Sequence, residues 1–182
     1  MRIRALRVDD LEPIRAIELR AGALFHDVGM SDIATHPVPS AAVLTRFVDV
    51  GRGWVVVDDG DRPVAFVLVE VVDGLAHVEQ VSVDPAYARN GLGSDLIDHV
   101  EGWAAERGMP AVTLTTFRGV PWNGPYYRRL GFVELAEGER GQELARLMAV
   151  EVEHGLDPAE RIAMRRPVRS SLRGGGEYAS QP

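Results

Sequence analysis

Between Val81 and Val100 the chain reads VSVDPAYARNGLGSDLIDHV. A short β-branched run is followed by a turn, two closely spaced glycines and apolar residues at helical spacing. Loops of this build hold phosphate. Arg89-Asn90-Gly91-Leu92-Gly93-Ser94 puts successive backbone N–H groups at a helix N-terminus, where the positive end of the helix dipole favours an anion. The glycines remove side chains that would keep a pyrophosphate from the amides, Arg89 adds charge and Ser94 a hydroxyl. A triphosphate loop of the GxxxxGKS/T type needs a lysine, and all 20 basic residues are arginine. A dinucleotide loop needs a third small residue where Leu96 stands, and it belongs to the opening unit of a parallel fold.

The chemistry available elsewhere is bounded by composition. Without lysine there is no Schiff-base nucleophile, and without cysteine there is no thiol nucleophile, disulfide or thiolate metal site. A cysteine-free chain suits a reducing cytoplasm, which is the expected location. The first residues, MRIRALRVDDLEPI, carry charges throughout, so no secretory signal is expected, and no apolar run approaches membrane-spanning length. The net charge of −7 argues against a nucleic-acid partner and for a neutral or cationic small molecule. No spacing of metal ligands appears, and no metal is expected.

The elements that must position the loop follow from periodicity. Ile3 to Leu6 reads as a strand, followed by a helix with Leu11, Ile14, Ile17 and Leu24 on its apolar face and Asp9 or Asp10 as its cap. HDVGMSDIATHPVPS is turn-rich and reads as an irregular, lid-like loop; SAAVLTRFVDV reads as a helix capped by Ser40. GWVVVDD, PVAFVLVEVVD and LAHVEQVSVD form an antiparallel meander with turns at DDGDRP and Asp73-Gly74. The helix after the loop is GLGSDLIDHVEGWAAERG, stopped at Gly108. AVTLTTF is a buried strand parallel to the strand before that helix, as a crossover requires. NGPYYRRLG is a short helix, FVEL a strand, GQELARLMAVEVEHG a helix and ERIAMRRPV a closing strand. The tail RSSLRGGGEYASQP is Gly/Ser-rich and expected to be disordered. Trp54, Trp103 and Trp122 read as packing residues, with Trp122 at a cleft mouth.

Two stretches, VSVDPAYARNGLGSDLI and PWNGPYYRRLGFVEL, together resemble the Gcn5-related N-acetyltransferase (GNAT) family. The first is similar to the family's acyl-CoA pyrophosphate loop, Q/R-x-x-G-x-G/A, with Ala88 at the first position and the arginine one residue later. The second is similar to its Tyr-x-x-Leu-Gly-Phe element, here Tyr127 to Phe132. The resemblance implies an α/β domain over residues 1–168 with the tail at 169–182. It implies a mixed central sheet of six to seven strands flanked by helices, with an antiparallel N-terminal half and a parallel, splayed central pair.

The same resemblance implies a reaction and its parts. Acetyl-CoA is the expected co-substrate and a small primary amine the expected acceptor, attacking the acetyl thioester directly. Backbone groups of Val81, Ser82 and Val83 would pair with the pantetheine amides, residues 89–94 would hold the pyrophosphate, and Asn123 would contact the cofactor. Glu79 and His77, on one face of the strand by its period of two, are the candidate bases, with Glu70 behind them. Tyr127 is the candidate acid for the leaving thiolate. His26 and His36 fall where the family builds its acceptor pocket. Pairing into homodimers is common in the family. Other readings compete: an acyl-CoA sensor without turnover, an enzyme acting on a protein or peptide amine, and a nucleotide-binding regulator.

Overall fold

The computed structural model of the protein describes residues 1–169. In chain order they form β1 (Arg2–Ala5), α1 (Leu11–Gly22), α2 (Ser31–Ala34), α3 (Ala41–Asp49), β2 (Gly53–Val57), β3 (Pro63–Val72) and β4 (Leu75–Val83). After these come α4 (Leu92–Glu106), β5 (Ala111–Phe117), α5 (Gly124–Arg129), β6 (Val133–Glu134), α6 (Gln142–Glu153) and β7 (Arg161–Pro167). The strands make one seven-stranded sheet in the order β1-β2-β3-β4-β5-β7-β6. β4 and β5 are parallel, and every other pair is antiparallel. This is the mixed sheet expected from the alternation of short strands with one crossover helix.

Each face of the sheet has its own core. α1 and α3 bury Leu11, Ile14, Ile17, Leu44 and Phe47 against Val55, Val57, Phe66 and Leu68. On the other face, α4 buries Leu92, Leu96, Ile97, Val100 and Ala104 against Val67, Val69, Val78 and Leu114, and Trp54 belongs to this core. α6 adds a smaller cluster of Leu144 and Met148 with Val72 and Ala163. Phe66 and Val72 lie an even number of positions apart on β3, so α6 covers the same face as α1. The strip of sheet between these two helices is left open.

The structure departs from the expected elements in four places. α1 stops at Gly22, so Leu24 is exposed rather than on its apolar face. The carboxylate of Asp10 accepts from the Arg7 N–H (2.8 Å) and pairs with Arg4 (2.6 Å) instead of capping α1. The segment expected to be an irregular loop holds a 3-10 stretch, Ala23–Val28, and the short α2. The strand expected from FVEL is two residues long, because Phe132 and Leu135 on either side turn into separate cores. Ser40 does cap α3, accepting from the Val43 N–H. The tail expected over 169–182 lies outside the described residues except for Arg169, whose backbone N–H donates to Glu101 Oε1 (2.8 Å). No helix among the described residues is long and apolar enough to cross a membrane.

Candidate active site

β4 and β5 pair over only three rungs: Ala76–Val112, His77–Thr113 and Val78–Leu114. Beyond Val78 the strands part. β4 stays paired with β3 through Val83, and β5 stays paired with β7 through Phe117. Each strand therefore has one satisfied edge, and between them a row of backbone groups is open to a ligand that can pair with both. Val81 and Val83 pack their side chains on the α4 core, while Ser82 is buried on the opposite side with Gln80 Nε2 donating to its hydroxyl (3.0 Å).

The glycine loop lies at the far end of β4. Arg89 and Gly91 both adopt left-handed backbone, at φ 63° and 78°. The loop ends in the first turn of α4, whose leading amides have no partner within the helix. Among the described residues, no backbone or side-chain acceptor meets the N–H groups of residues 89–94. Arg89 is exposed and makes no ion pair among the described residues, whereas most arginines of the fold do. Successive free amides with a nearby cation form an anion site. Asn90 Nδ2 donates to Tyr87 O (3.2 Å), Leu92 plugs the helix start into the core, and Ser94 is half-buried. Gly93 has no room for a side chain: a Cβ there would lie 2.9 Å from the Tyr126 hydroxyl.

α5 brings Tyr126 and Tyr127 to the end of β5. It starts at Gly124, where a Cβ would lie 2.5 Å from Arg118 O, so only glycine lets the helix close on the strand. Asn123 Nδ2 donates to Thr116 Oγ1 (2.9 Å) and leaves its Oδ1 buried without a protein partner. Tyr127 is buried, edge-on to Tyr126 and Phe132. Burial, then the neighbouring Tyr126, raise its phenol well above the usual tyrosine range. It is a proton donor at any working pH.

The two candidate bases on β4 occupy different environments. Register between β3 and β4 shifts so that Leu68 pairs with Gln80 and Val69 with Val78, which leaves Glu79 as the extra residue of a β-bulge. The bulge breaks the simple alternation expected of the strand: Val78, Val81 and Val83 all pack on the α4 core, and Glu79 stands at the shift, exposed. Glu79 makes no hydrogen bond or ion pair among the described residues. Its carboxyl is raised by crowding from the cleft walls and then by Glu70, although water reaches it and moderates that shift. His77 is sealed, 1% exposed, with Nδ1 3.0 Å from Thr113 Oγ1. Loss of hydration lowers it to about 4, against the opposing pull of Glu151, so its ring is neutral at neutral pH.

Around the strip, Glu18, Glu151 and Phe25 were not singled out by the sequence, and they stand beside Glu70 and His26, which were. Glu18 of α1 is half-buried, and burial followed by the charge of Glu79 pushes it up to about 7. Glu151 of α6 accepts from Thr115 (2.6 Å) and pairs with Arg161 (2.6 Å). Glu70 is neutralised by Arg46 (2.9 Å) and Arg52 (3.2 Å). Phe25 meets Phe117 and Trp122 edge-on, at 5.6 and 5.7 Å, which ties the segment after α1 to the end of β5. His26, in the 3-10 segment, bonds through Nδ1 to Ser31 Oγ at the start of α2 (3.1 Å). Among the described residues, no group of His, Cys, Asp and Glu is placed to hold a metal ion.

Comparison with known proteins accords with this geometry. The sequence pattern of the Acetyltransferase (GNAT) family matches residues 23–132. The ribosomal-protein-S18-alanine N-acetyltransferase of Escherichia coli is similar in structure, with a TM-score of 0.64 at 21% identity over 95% of this chain and 97% of that one. A GNAT-family acetyltransferase of Staphylococcus aureus Mu50 gives a TM-score of 0.69 at 16% identity over 92% and 99%. The PaiA N-acetyltransferase of Thermoplasma acidophilum, solved with coenzyme A, gives 0.65 at 13% identity over 91% and 98%.

Proposed function

The chain belongs to the GNAT acetyltransferase family, and on that premise we propose that it acetylates a primary amine of a small molecule by direct attack, with Glu79 as base and Tyr127 as acid. The residues present fit acetyl-CoA. The free amides of 89–94 and the unpaired Arg89 suit a pyrophosphate, and the parted edges of β4 and β5 suit the pantetheine amides, with Val81 to Val83 on one side. Asn123, anchored to Thr116 with a buried free oxygen, lines the end of that gap. Acetyl-CoA supplies an acetyl thioester there.

The observation that carries the reading is the unpaired carboxylate of Glu79 in the bulge beside the point where the two strands part. An alkylammonium must lose a proton before its nitrogen can attack a carbonyl, and a carboxylate with a raised pKa is matched to take it near neutral pH. Glu79 Oε takes that proton from the acceptor nitrogen. His77, sealed and neutral, braces the middle rung of the parallel pair through Thr113. The Tyr127 phenol donates to the departing sulfur, and its neutral form is the one burial favours. With no cysteine in the chain, direct attack needs no thiol-bound acyl intermediate. The aromatic contact of Phe25 with Phe117 and Trp122 covers the end of β5, which supports a small acceptor over a folded protein surface.

Thermal melting with acetyl-CoA, CoA, ATP and NAD, followed by thiol release with amine acceptors, tests this function. A shift with the CoA species alone is expected, since a ligand of the native state raises stability by mass action. Tyr127→Phe is expected to keep acetyl-CoA affinity and lose about a hundredfold in kcat. A melt shifted by ATP, or a Tyr127→Phe enzyme with full turnover, overturns it; binding without turnover of any amine supports the sensor reading instead.

A further inference from the structure

β7 places Ile162 and Met164 in the α4 core, and its alternation brings residue 166 to the same face, where an apolar side chain is the ordinary choice. Arg166 stands there instead. Its side chain is 7% exposed, and its Nε is buried without a partner among the described residues. A buried guanidinium with an unmet N–H stabilises a core less than a well-packed apolar residue does, so packing alone does not account for it. Its contacts explain it better. Nη2 pairs with Glu101 Oε2 (2.6 Å) and Asp98 Oδ1 (2.9 Å) on α4. Nη1 donates to the carbonyl of Leu130 (3.1 Å), the residue that closes the C-terminal end of α5. The guanidinium also lies 5.3 Å from the centre of the Phe132 ring, which meets Tyr127 edge-on at 5.7 Å.

Tyr127 depends on ties of this kind. The six residues of α5 are too few for a helix to hold itself in place. Its N-terminal end is closed on β5 by Gly124 and Asn123. The Tyr127 hydroxyl has no hydrogen-bond partner among the described residues, so its position is set by the helix and by ring packing. Arg166 supplies the tie at the C-terminal end of the helix, through Leu130 O, and backs the ring through Phe132. The same guanidinium grips α4, whose first turn carries the glycine loop. We propose that Arg166 is a positioning residue for the acetyl transfer: it sets the spacing between α4, which locates the cofactor through the loop, and α5, which carries the acid. This rests on the reading of Tyr127 as the acid. Arg166 acts through the Tyr127 phenol and not on the reacting atoms.

Arg166→Met in the full-length protein tests this. It keeps the stem that packs on Phe132 and Gly131, and Glu101 retains Arg169, whose backbone N–H and Nε donate to it at 2.8 and 3.2 Å. The variant should lose about tenfold in kcat for thiol release from acetyl-CoA, with n-butylamine as the probe acceptor, while the calorimetric Kd for CoA changes by less than about twofold. A double-mutant cycle with Tyr127→Phe separates positioning from support of the fold: the kcat loss should all but vanish once the phenol is gone, whereas a residue that only stabilises the fold lowers both backgrounds alike. Arg166→Lys keeps the buried charge but cannot fork between Glu101 and Leu130 O. It should show a smaller loss with the same dependence on Tyr127, and it serves the cycle if the methionine variant does not fold. Labelling with 3-fluorotyrosine gives a reading without turnover. The Tyr127 fluorine resonance, assigned by its absence in Tyr127→Phe, should shift in Arg166→Met, and that of Tyr87, in the turn after β4, should not. Equal kcat losses in the two backgrounds, or an unmoved Tyr127 resonance, overturns the proposal. The two readings fail separately: a Tyr127→Phe enzyme with full kcat removes the acid, while the fluorine spectrum still reports whether Arg166 holds the ring.

Discussion

The Tyr126 hydroxyl stands 2.9 Å from where a Cβ of Gly93 would lie, so the phosphate loop and the tyrosine helix are fitted to each other at one point. Gly93→Ala should disturb both and weaken CoA binding about tenfold, since a displaced amide no longer faces the anion. The next nearest Tyr126 atom, its ring Cζ, is at an ordinary 3.7 Å. Adding Tyr126→Phe to Gly93→Ala should therefore restore much of the affinity. Calorimetric Kd values for CoA across the four proteins check this; a double variant no better than Gly93→Ala alone would place the defect in the loop backbone.

The pH dependence of kcat/KM follows from Glu79. A base must be ionised to accept a proton, so the rate should rise with pH and then level off, with its midpoint above the ordinary glutamate range because crowding and Glu70 raise that carboxyl. Tyr127 stays protonated beyond the usual tyrosine range and should add no alkaline loss where a free phenol would ionise. Glu79→Gln should lower the plateau and abolish the acidic limb. A limb that persists in that variant would assign it to another group.

His77 links stability to acid. Its folded pKa of about 4 lies below the ordinary histidine value of 6.5, so the unfolded chain binds a proton that the folded chain refuses. The stability from its neutral burial is fully present above 6.5 and is lost as pH falls toward 4, by about 3 kcal/mol if the whole shift is expressed. Glu18 runs the other way: its carboxyl, raised to about 7, favours the folded state at low pH and loses that contribution as pH rises through 7. Urea melts at a series of pH values should show His77→Asn with a shallower acid loss and Glu18→Gln with a shallower loss as pH rises from 4.5 to about 7.

Asp73, in left-handed backbone at the β3–β4 turn, accepts from the N–H groups of Glu143 and Leu144 at the start of α6, both at 2.9 Å. Asp73→Ala should lower stability by about 1–2 kcal/mol, the usual worth of such a cap. A Cβ on Gly141 would lie 2.2 Å from the Asp73 carboxylate. Gly141→Ala should therefore cost a similar amount alone and little in the Asp73→Ala background. Additive losses in that double-mutant cycle would show the two sites to be independent.

Strand order, the crossover helix and the glycine loop were legible in the sequence because each has a period or a turn signal of its own. Val81 and Val83 alternate, Leu92 to Ala104 repeat at helical spacing, and Asp73-Gly74 marks a hairpin. Glu18 was not legible. On a helical wheel it reads as one more charged residue on a surface helix, and its half-buried setting arises only when α1 packs on the sheet. The bulge at Glu79 arises from register against β3, which no single strand reveals. The 3-10 stretch at Ala23–Val28 was missed because it is too short to show a period, and its function shows only in the packing of Phe25 on Phe117 and Trp122.

The three rungs joining β4 to β5 act as the spine of a half-open book. Each leaf, β1 to β4 on one side and β5, β7 and β6 on the other, is internally complete, so a change in the opening angle breaks no ladder within either leaf. Resistance to that motion falls on the six buried residues of the rungs, Ala76, His77, Val78, Val112, Thr113 and Leu114, and on the α4 and α6 cores, which span both leaves. A substitution there that alters side-chain volume acts as a lever. It would be felt as a change of gap width at Val83 and Phe117, at the far ends of the leaves, and would leave the binding residues themselves untouched.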